Sequence, residues 1–192
     1  MSMNRTFAAF SILALMAGHA ALGQEATVVV GPTLFDQCAN ATAEAQKIGA
    51  ADRVALNACT DAIERSWATR SEQAVAYLNR GALYRVRGEN EQALADFTSA
   101  IKDDPSLAAA YNDRGNAYTA LHRPNDAVRD FNQALALHAD NAAQVMFNRA
   151  LAYEDQGDMK QAYIDYRAAA EMQPGWSLPA QQLARFNVGH AG

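Results

Sequence analysis

A unit of 34 residues occurs twice back to back in this chain, then a third time with one residue inserted. Counted from Ala74, Ala108 and Ala143, the copies carry similar residues at fixed offsets. Offset 4 holds Tyr77, Tyr111 and Met146, offset 8 holds Gly81, Gly115 and Ala150, and offset 11 holds Tyr84, Tyr118 and Tyr153. Offset 20 holds Ala93, Ala127 and Ala162, offset 24 holds Phe97, Phe131 and Tyr166, and offset 27 holds Ala100, Ala134 and Ala169. Offset 32 holds Pro105, Ala139 and Pro174. A fixed period of this length signals stacked supersecondary units, each covering its neighbour's apolar face.

The spacings inside one copy are helical. Tyr77, Gly81 and Tyr84 lie four and three residues apart and share one face, as do Ala93, Phe97 and Ala100. Small residues at offsets 8, 20 and 27 let two helices approach closely, and the aromatics fill the space between neighbouring pairs. Gly88 and Gly157 mark the turn between the two helices, and Pro124-Asn125 replaces that signal in the middle copy. Pro105 and Pro174 close the second helix. This pattern resembles the tetratricopeptide repeat (TPR), a helix–turn–helix unit, over Ala74 to about Gly175. The resemblance implies an all-α fold, an α-solenoid of antiparallel helix pairs, with units at residues 74–107, 108–142 and 143–176.

The amino terminus reads as an address. Arg5 supplies a positive start, Phe7 to Ala17 is an apolar run too short to span a bilayer comfortably, and Ala21-Leu22-Gly23 offers small residues for cleavage before Gln24. Residues 1–23 are thus expected to be a signal peptide, placing the chain in the periplasm or outside the cell with no stable membrane insertion after cleavage. Residues 24–35 are expected to form an extended lead-in. Extending the register backwards aligns Ala55–Ile63 with Ala93–Ile101, so Cys59 stands where Phe97 stands. Residues 36–73 are therefore expected to be a degenerate helix pair stapled by Cys38 and Cys59, an even pair in an exported chain. Two free thiols in catalysis or metal binding are the alternative, but no convergent His completes such a site. Residues 177–192 read as a capping helix and tail, because the last unit of an array otherwise exposes its apolar face.

One charge pattern recurs. Offset 7 is Arg80, Arg114 and Arg149, and offset 23 is Asp96, Asp130 and Asp165. A planar guanidinium can hold a carboxylate with two hydrogen bonds, so these six residues are expected to form structural ion pairs, within a unit or between neighbours. The net charge of −5 and only three lysines (Lys47, Lys102, Lys160) leave no basic stripe for nucleic acid. No Gly-rich phosphate loop, His-Glu-x-x-His or Gly-x-Ser-x-Gly occurs, and the four histidines lack recognisable catalytic neighbours. The expectation is a non-enzyme with no cofactor and no metal.

TPR arrays as a family bind peptides or partner proteins in a groove lined by the first helix of each unit. Carrying the groove offsets over names Val75, Leu78, Asn79, Ala82, Arg85 and Val86 in the first copy. The second gives Ala109, Asn112, Asp113, Asn116, Thr119 and Ala120, and the third Gln144, Phe147, Asn148, Leu151, Glu154 and Asp155. The resemblance thus implies a groove that is apolar at one end, amide-rich in the middle and acidic at the other. Asn112 and Asn116 are expected on one exposed helix face, where amides can both donate to and accept from an extended peptide. The chaperone-binding carboxylate clamp needs Lys and Arg in the groove, and only Arg85 qualifies. The expected partner is another protein or peptide of the cell envelope. The alternative is an accessory subunit whose groove takes an oligosaccharide or a peptidoglycan fragment.

Overall fold

The computed structural model describes residues 32–64 and 68–188, which form nine α-helices and no strand. The leader, its cleavage site, the lead-in before Pro32 and the tail from residue 189 lie outside the described residues. The helices α1 (Leu34–Ile48) and α2 (Arg53–Glu64) form the amino-terminal pair. Three pairs follow: α3 (Arg70–Val86) with α4 (Asn90–Asp103), α5 (Ala108–Ala120) with α6 (Pro124–Ala136), and α7 (Ala142–Gln156) with α8 (Met159–Met172). A single helix, α9 (Ser177–Val188), closes the stack. Each helix packs chiefly on its neighbours in the chain, as a solenoid requires. None of the described helices is long and apolar enough to cross a membrane.

The odd-numbered helices form the inner row. The contacts α1–α3, α3–α5 and α5–α7 are present, whereas no comparable contact joins α4 to α6 or α6 to α8 among the described residues. First helices that meet while second helices splay apart curve the stack towards α3, α5 and α7.

Two helix starts fall ahead of their expected places. The helix α1 begins at Leu34 rather than Asp36, and α3 begins at Arg70, inside the segment assigned to the degenerate pair. Capping boxes set both. The Thr33 hydroxyl accepts from the Asp36 amide (3.1 Å) while the Asp36 carboxylate accepts from the Thr33 amide (2.9 Å). Thr69 and Glu72 repeat the exchange at 3.2 and 2.8 Å. Each box satisfies orphan backbone donors at a helix start. The hydrogen bonds from Thr33 and Thr69 hold the Asp36 and Glu72 carboxyls below their ordinary value.

Offset 15 is left-handed in every copy: Gly88 has φ 76°, His122 φ 52° and Gly157 φ 83°. The middle copy therefore puts a histidine where its relatives use glycine, and α6 starts at once with Pro124. His138, also left-handed at φ 57°, turns the chain between α6 and α7, where the unit is one residue longer.

The core repeats with the sequence. Phe97, Phe131 and Tyr166 are fully buried, with fully buried alanines at offsets 20 and 27 of the same helix. The ring of Phe97 lies against Gly81: a Cβ there would sit 2.6 Å from its Cε1, and one on Gly115 would sit 2.7 Å from Phe131 Cε1. No real Cβ tolerates that distance, so the two glycines exist for close approach. The third copy combines Ala150 with a tyrosine ring instead.

The recurrent charges join the two helices of one unit. Arg80 Nε and Nη2 donate to the two carboxylate oxygens of Asp96, both at 2.8 Å. Arg114 holds Asp130 at 2.6 and 2.9 Å, and Arg149 holds Asp165 at 2.7 and 2.8 Å. The remaining Nη1 of each reaches back to the preceding pair: Arg80 to Thr60 (3.1 Å), Arg114 to Thr98 (3.2 Å) and Arg149 to the Asn132 amide oxygen (2.5 Å). Those acceptors share one position, directly after Cys59, Phe97 and Phe131. Hydroxyl and amide residues at that offset were visible in the sequence, but their role was not. The guanidinium of Arg80 also lies over the rings of Tyr77 and Tyr84, 5.6 and 6.0 Å from their centroids, and Arg114 lies over Tyr111 and Tyr118 at 5.8 and 5.9 Å. The hydrogen bonds to Asp96 and Asp130 hold these two guanidiniums above their ordinary pKa, against the opposing effect of burial.

The amino-terminal pair lacks the fork, having Ala58 at the acid's offset. A disulfide joins Cys38 on α1 to Cys59 on α2, and both sulfurs are fully buried. Beside it the buried Thr42 hydroxyl donates to the Cys38 carbonyl at 2.9 Å.

Gly115→Leu is expected to lower stability by about 1–3 kcal/mol or more through overpacking against Phe131. A thermal melt equal to wild type would contradict this packing. Replacing Cys38 and Cys59 together by Ala is expected to cost about 2–4 kcal/mol, confined to the amino-terminal pair. Hydrogen exchange should quicken in α1 and α2 while α5 to α8 keep their protection.

Candidate partner-binding groove

The inner row presents the groove offsets, but neighbouring helices cover several of them. Ala82 (3% exposed) and Phe147 (7% exposed) are buried. The Phe147 ring packs 5.3 Å from Tyr166 and 4.8 Å from Trp176, so it belongs to the core under the capping helix rather than to the surface. Leu78 and Leu151 are half-buried against the cores of their own units. The apolar end of the groove is thus narrower than its residue types suggest.

The amide-rich middle is present and partly self-paired. Gln144 Nε2 donates to Asn148 Oδ1 (3.0 Å), and Asn148 Nδ2 donates to Asn116 Oδ1 (2.8 Å), which ties α7 to α5 across the inner face. Thr119 Oγ1 donates to its own helix, at the Gly115 carbonyl (3.0 Å). Asn79 is half-buried; its backbone carbonyl accepts from Thr42. Asn112 departs from the exposed position expected of it, being only 7% exposed. Its Nδ2 donates to Asp113 Oδ1 (3.1 Å), and its Oδ1 is buried without a partner. The linear pattern does not reveal this, because it carries no information on how far a neighbouring helix covers a position.

At the acidic end only Glu154, among the described residues, has an arginine partner. Glu154 lies 3.6 Å from Arg185 of α9, and Asp155 lies 3.7 Å from His122 Nδ1. Burial and the Glu154 charge together hold the Tyr166 hydroxyl above its ordinary value. The helix α9 covers the third unit with part of its apolar residues only. Leu178 and Ala184 face solvent, while Pro179 is fully buried and Leu183 and Phe186 pack on the third unit. Arg185 could not be assigned to the groove from sequence, because α9 is not a repeat and has no offset to carry it.

Arg85 and Asp113 are then left facing each other across the groove centre. Neither is in an ion pair among the described residues, and Arg85 Nε is buried with no hydrogen-bond partner. Burial raises the Asp113 carboxyl above the ordinary carboxylate value, and the charge of Arg85 and hydrogen bonds from Asn112 and Asn116 offset this only in part. No cluster of three His, Cys, Asp or Glu side chains able to hold a metal occurs among the described residues.

The comparisons with known proteins agree with this architecture. Residues 81–122 match the TPR repeat and residues 112–175 the tetratricopeptide repeat. The chain is 33% identical over 93 residues to the small glutamine-rich tetratricopeptide repeat-containing protein 2 of Saccharomyces cerevisiae, covering 48% of this chain and 26% of that protein. It therefore spans about a quarter of the length of such a curated relative. Among solved structures, the first TPR of Spaghetti (RPAP3) bound to an HSP90 peptide superposes with a TM-score of 0.60 at 23% identity, covering 64% of this chain and 96% of that one. MamA 41-end from Desulfovibrio magneticus superposes with a TM-score of 0.67 at 16% identity, covering 81% and 84%.

The Asp113 shift carries a sign. A carboxyl whose folded pKa lies above its unfolded value binds more protons in the folded state between the two values, so it costs stability as pH rises through that interval. Asp113→Asn is expected to raise the melting temperature at pH 7. The gain should shrink as the pH falls towards the ordinary carboxylate value. Melts across that range would show a constant difference if the charge were irrelevant.

Proposed function

The repeats of residues 81–175 belong to the tetratricopeptide repeat family, and on that premise we propose that this chain is a non-catalytic adaptor of the cell envelope that binds a protein partner through an extended peptide segment laid along α3, α5 and α7. The observation that carries the reading is the polar row across the inner face: Arg85, Asn112 and Asp113 at the centre, Asn116 and Asn148 beyond. A structural neighbour of the same fold holds a peptide, which makes an extended ligand the natural occupant of such a face. The HSP90 peptide of that neighbour ends in acidic residues. Among the described residues this groove has one arginine outside an ion pair, and the Asp113 carboxyl beside it disfavours a ligand of that charge.

The envelope location rests on the leader-like amino terminus and on the buried Cys38–Cys59 bond. Disulfides form and persist in oxidising compartments. Protein recovered from the periplasm or medium is expected to begin at Gln24 and to carry no free thiol. A start at Met1 with two labelled cysteines would reject export.

The groove is tested by site-specific photo-crosslinking in cells. A photoreactive residue at Asn79 or Asn148 is expected to trap a protein partner, whereas one at Arg129 on the outer helix α6 is not. Trapping only from Arg129 would move the binding face outwards. Retention of the purified protein on cell-wall material, with no trapped protein, would favour the oligosaccharide reading instead.

A further inference from the structure

We propose that the leading face of the amino-terminal pair docks on the same face of a second copy of this chain, giving a weak closed dimer. Each later pair receives a helix from the pair before it, α5 from α4 and α7 from α6, and α9 covers α8. Among the described residues no helix precedes α1, and the disulfide holds α1 to α2 without covering that face. A cleft of about 370 Å³ opens there, lined by Ala41, Ala45, Ala51 and Ala55 together with Ile48 and Val54. Ile48 is 62% exposed and Val54 74%, which makes them the two most exposed large apolar side chains among the described residues. Apolar side chains grouped around an apolar cleft mark a contact surface.

This face carries its own complement. Ile48 and Val54 are projecting groups, and the alanine-lined cleft is a hollow of the kind such groups fill. The rim has both signs: Glu44 and Asp52 line the cleft, Lys47 lies 3.7 Å from Glu44, and the exposed Arg53 follows Asp52. A twofold axis sets such a surface against itself, so that projection meets hollow and base meets acid. A partner of one charge sign meets like charge on part of the same rim. The units' own way of stacking is closed to the ends of the array. Thr42 stands on α1 where the fork arginine stands in later units, and Arg167 stands where Thr60, Thr98 and Asn132 accept. Arg167 lies 3.6 Å from Glu171 and has no acceptor to offer an incoming arginine. The face is about 20 Å of two adjacent helices, on the order of 400 Å² per copy, which is below a standard interface and makes the dimer transient.

The test is sedimentation of the purified chain across the micromolar to millimolar range. The chain is expected to pass from monomer to dimer and no further. Val54→Glu should weaken the dimer about tenfold or more. The melt of the dilute variant should match wild type, because that side chain is exposed in the monomer. Glu44→Arg should weaken the dimer by setting like charge against the second copy's Arg53, and Arg53→Glu should weaken it in the same way. Mixed in equal amounts, these two charge variants should associate with each other as wild type does with itself. Rescue between two chains cannot come from a change within one of them. A monomer at every concentration would overturn the second copy as the occupant. A dimer indifferent to Val54→Glu and to both charge variants would place the contact on another face. Growth beyond two copies would overturn the closed arrangement, and mixed charge variants that associate no better than either alone would overturn the twofold pairing.

Discussion

The arginine fork is the interaction on which the stack depends. Each of Arg80, Arg114 and Arg149 spends one edge of its guanidinium on an aspartate of the paired helix and its remaining nitrogen on the pair before it. Only a planar group with donors on two edges can do this, and a lysine could not. A half-buried charge is costly unless its donors are met, so intra-unit and inter-unit geometry are coupled at one side chain. The flanking tyrosines lie within cation–π distance and exclude water from the same group. In the third copy Met146 stands at offset 4, and only Tyr153 remains over Arg149.

Where the fork stops, other devices take over. The amino-terminal pair has no acid at the fork position and is joined covalently through buried sulfurs instead. Its Thr60 still receives Arg80, so the first full repeat is anchored to it. At the other end α9 supplies what a fourth repeat would have supplied: rings and aliphatic groups for the third core, and an arginine for Glu154. Both ends are thus closed by local solutions, in keeping with an array whose stability is a sum of neighbour terms.

With the fork and the aromatic–glycine contacts holding the helices, the inner offsets are relieved of structural duty to different degrees. Asn116, Asn148 and Gln144 use their amides on one another, which stiffens the α5–α7 side. The α3–α5 side keeps a buried acceptor and a buried donor unmet, next to a carboxyl that burial keeps above its ordinary value. A third unmet buried group, the Tyr166 hydroxyl, lies in the core of the third unit.

The repeat of sequence by itself determined the helices, their pairing, the fork residues and the aromatic core, because each depends on spacings within one unit or on identity at a recurrent offset. The period marks Gly81, Phe97, Arg80 and Asp96 as structural, but that Arg80 meets the Asp96 of its own unit, and Phe97 the Gly81 of its own unit, is decided by the packing. The capping boxes at Thr33 and Thr69 are also legible, as Thr followed three residues later by Asp or Glu. What only the tertiary structure decided is how far each inner side chain is covered. Phe147 and Asn112 share an offset, yet one is core against Trp176 and the other is a buried polar group of α5. The pairing of Glu154 with Arg185 and of Asp155 with His122 likewise joins elements that no common period relates. Offsets are one-dimensional, whereas burial and charge compensation are set by whatever packs next to a residue, and at the ends of this array that neighbour is not another repeat.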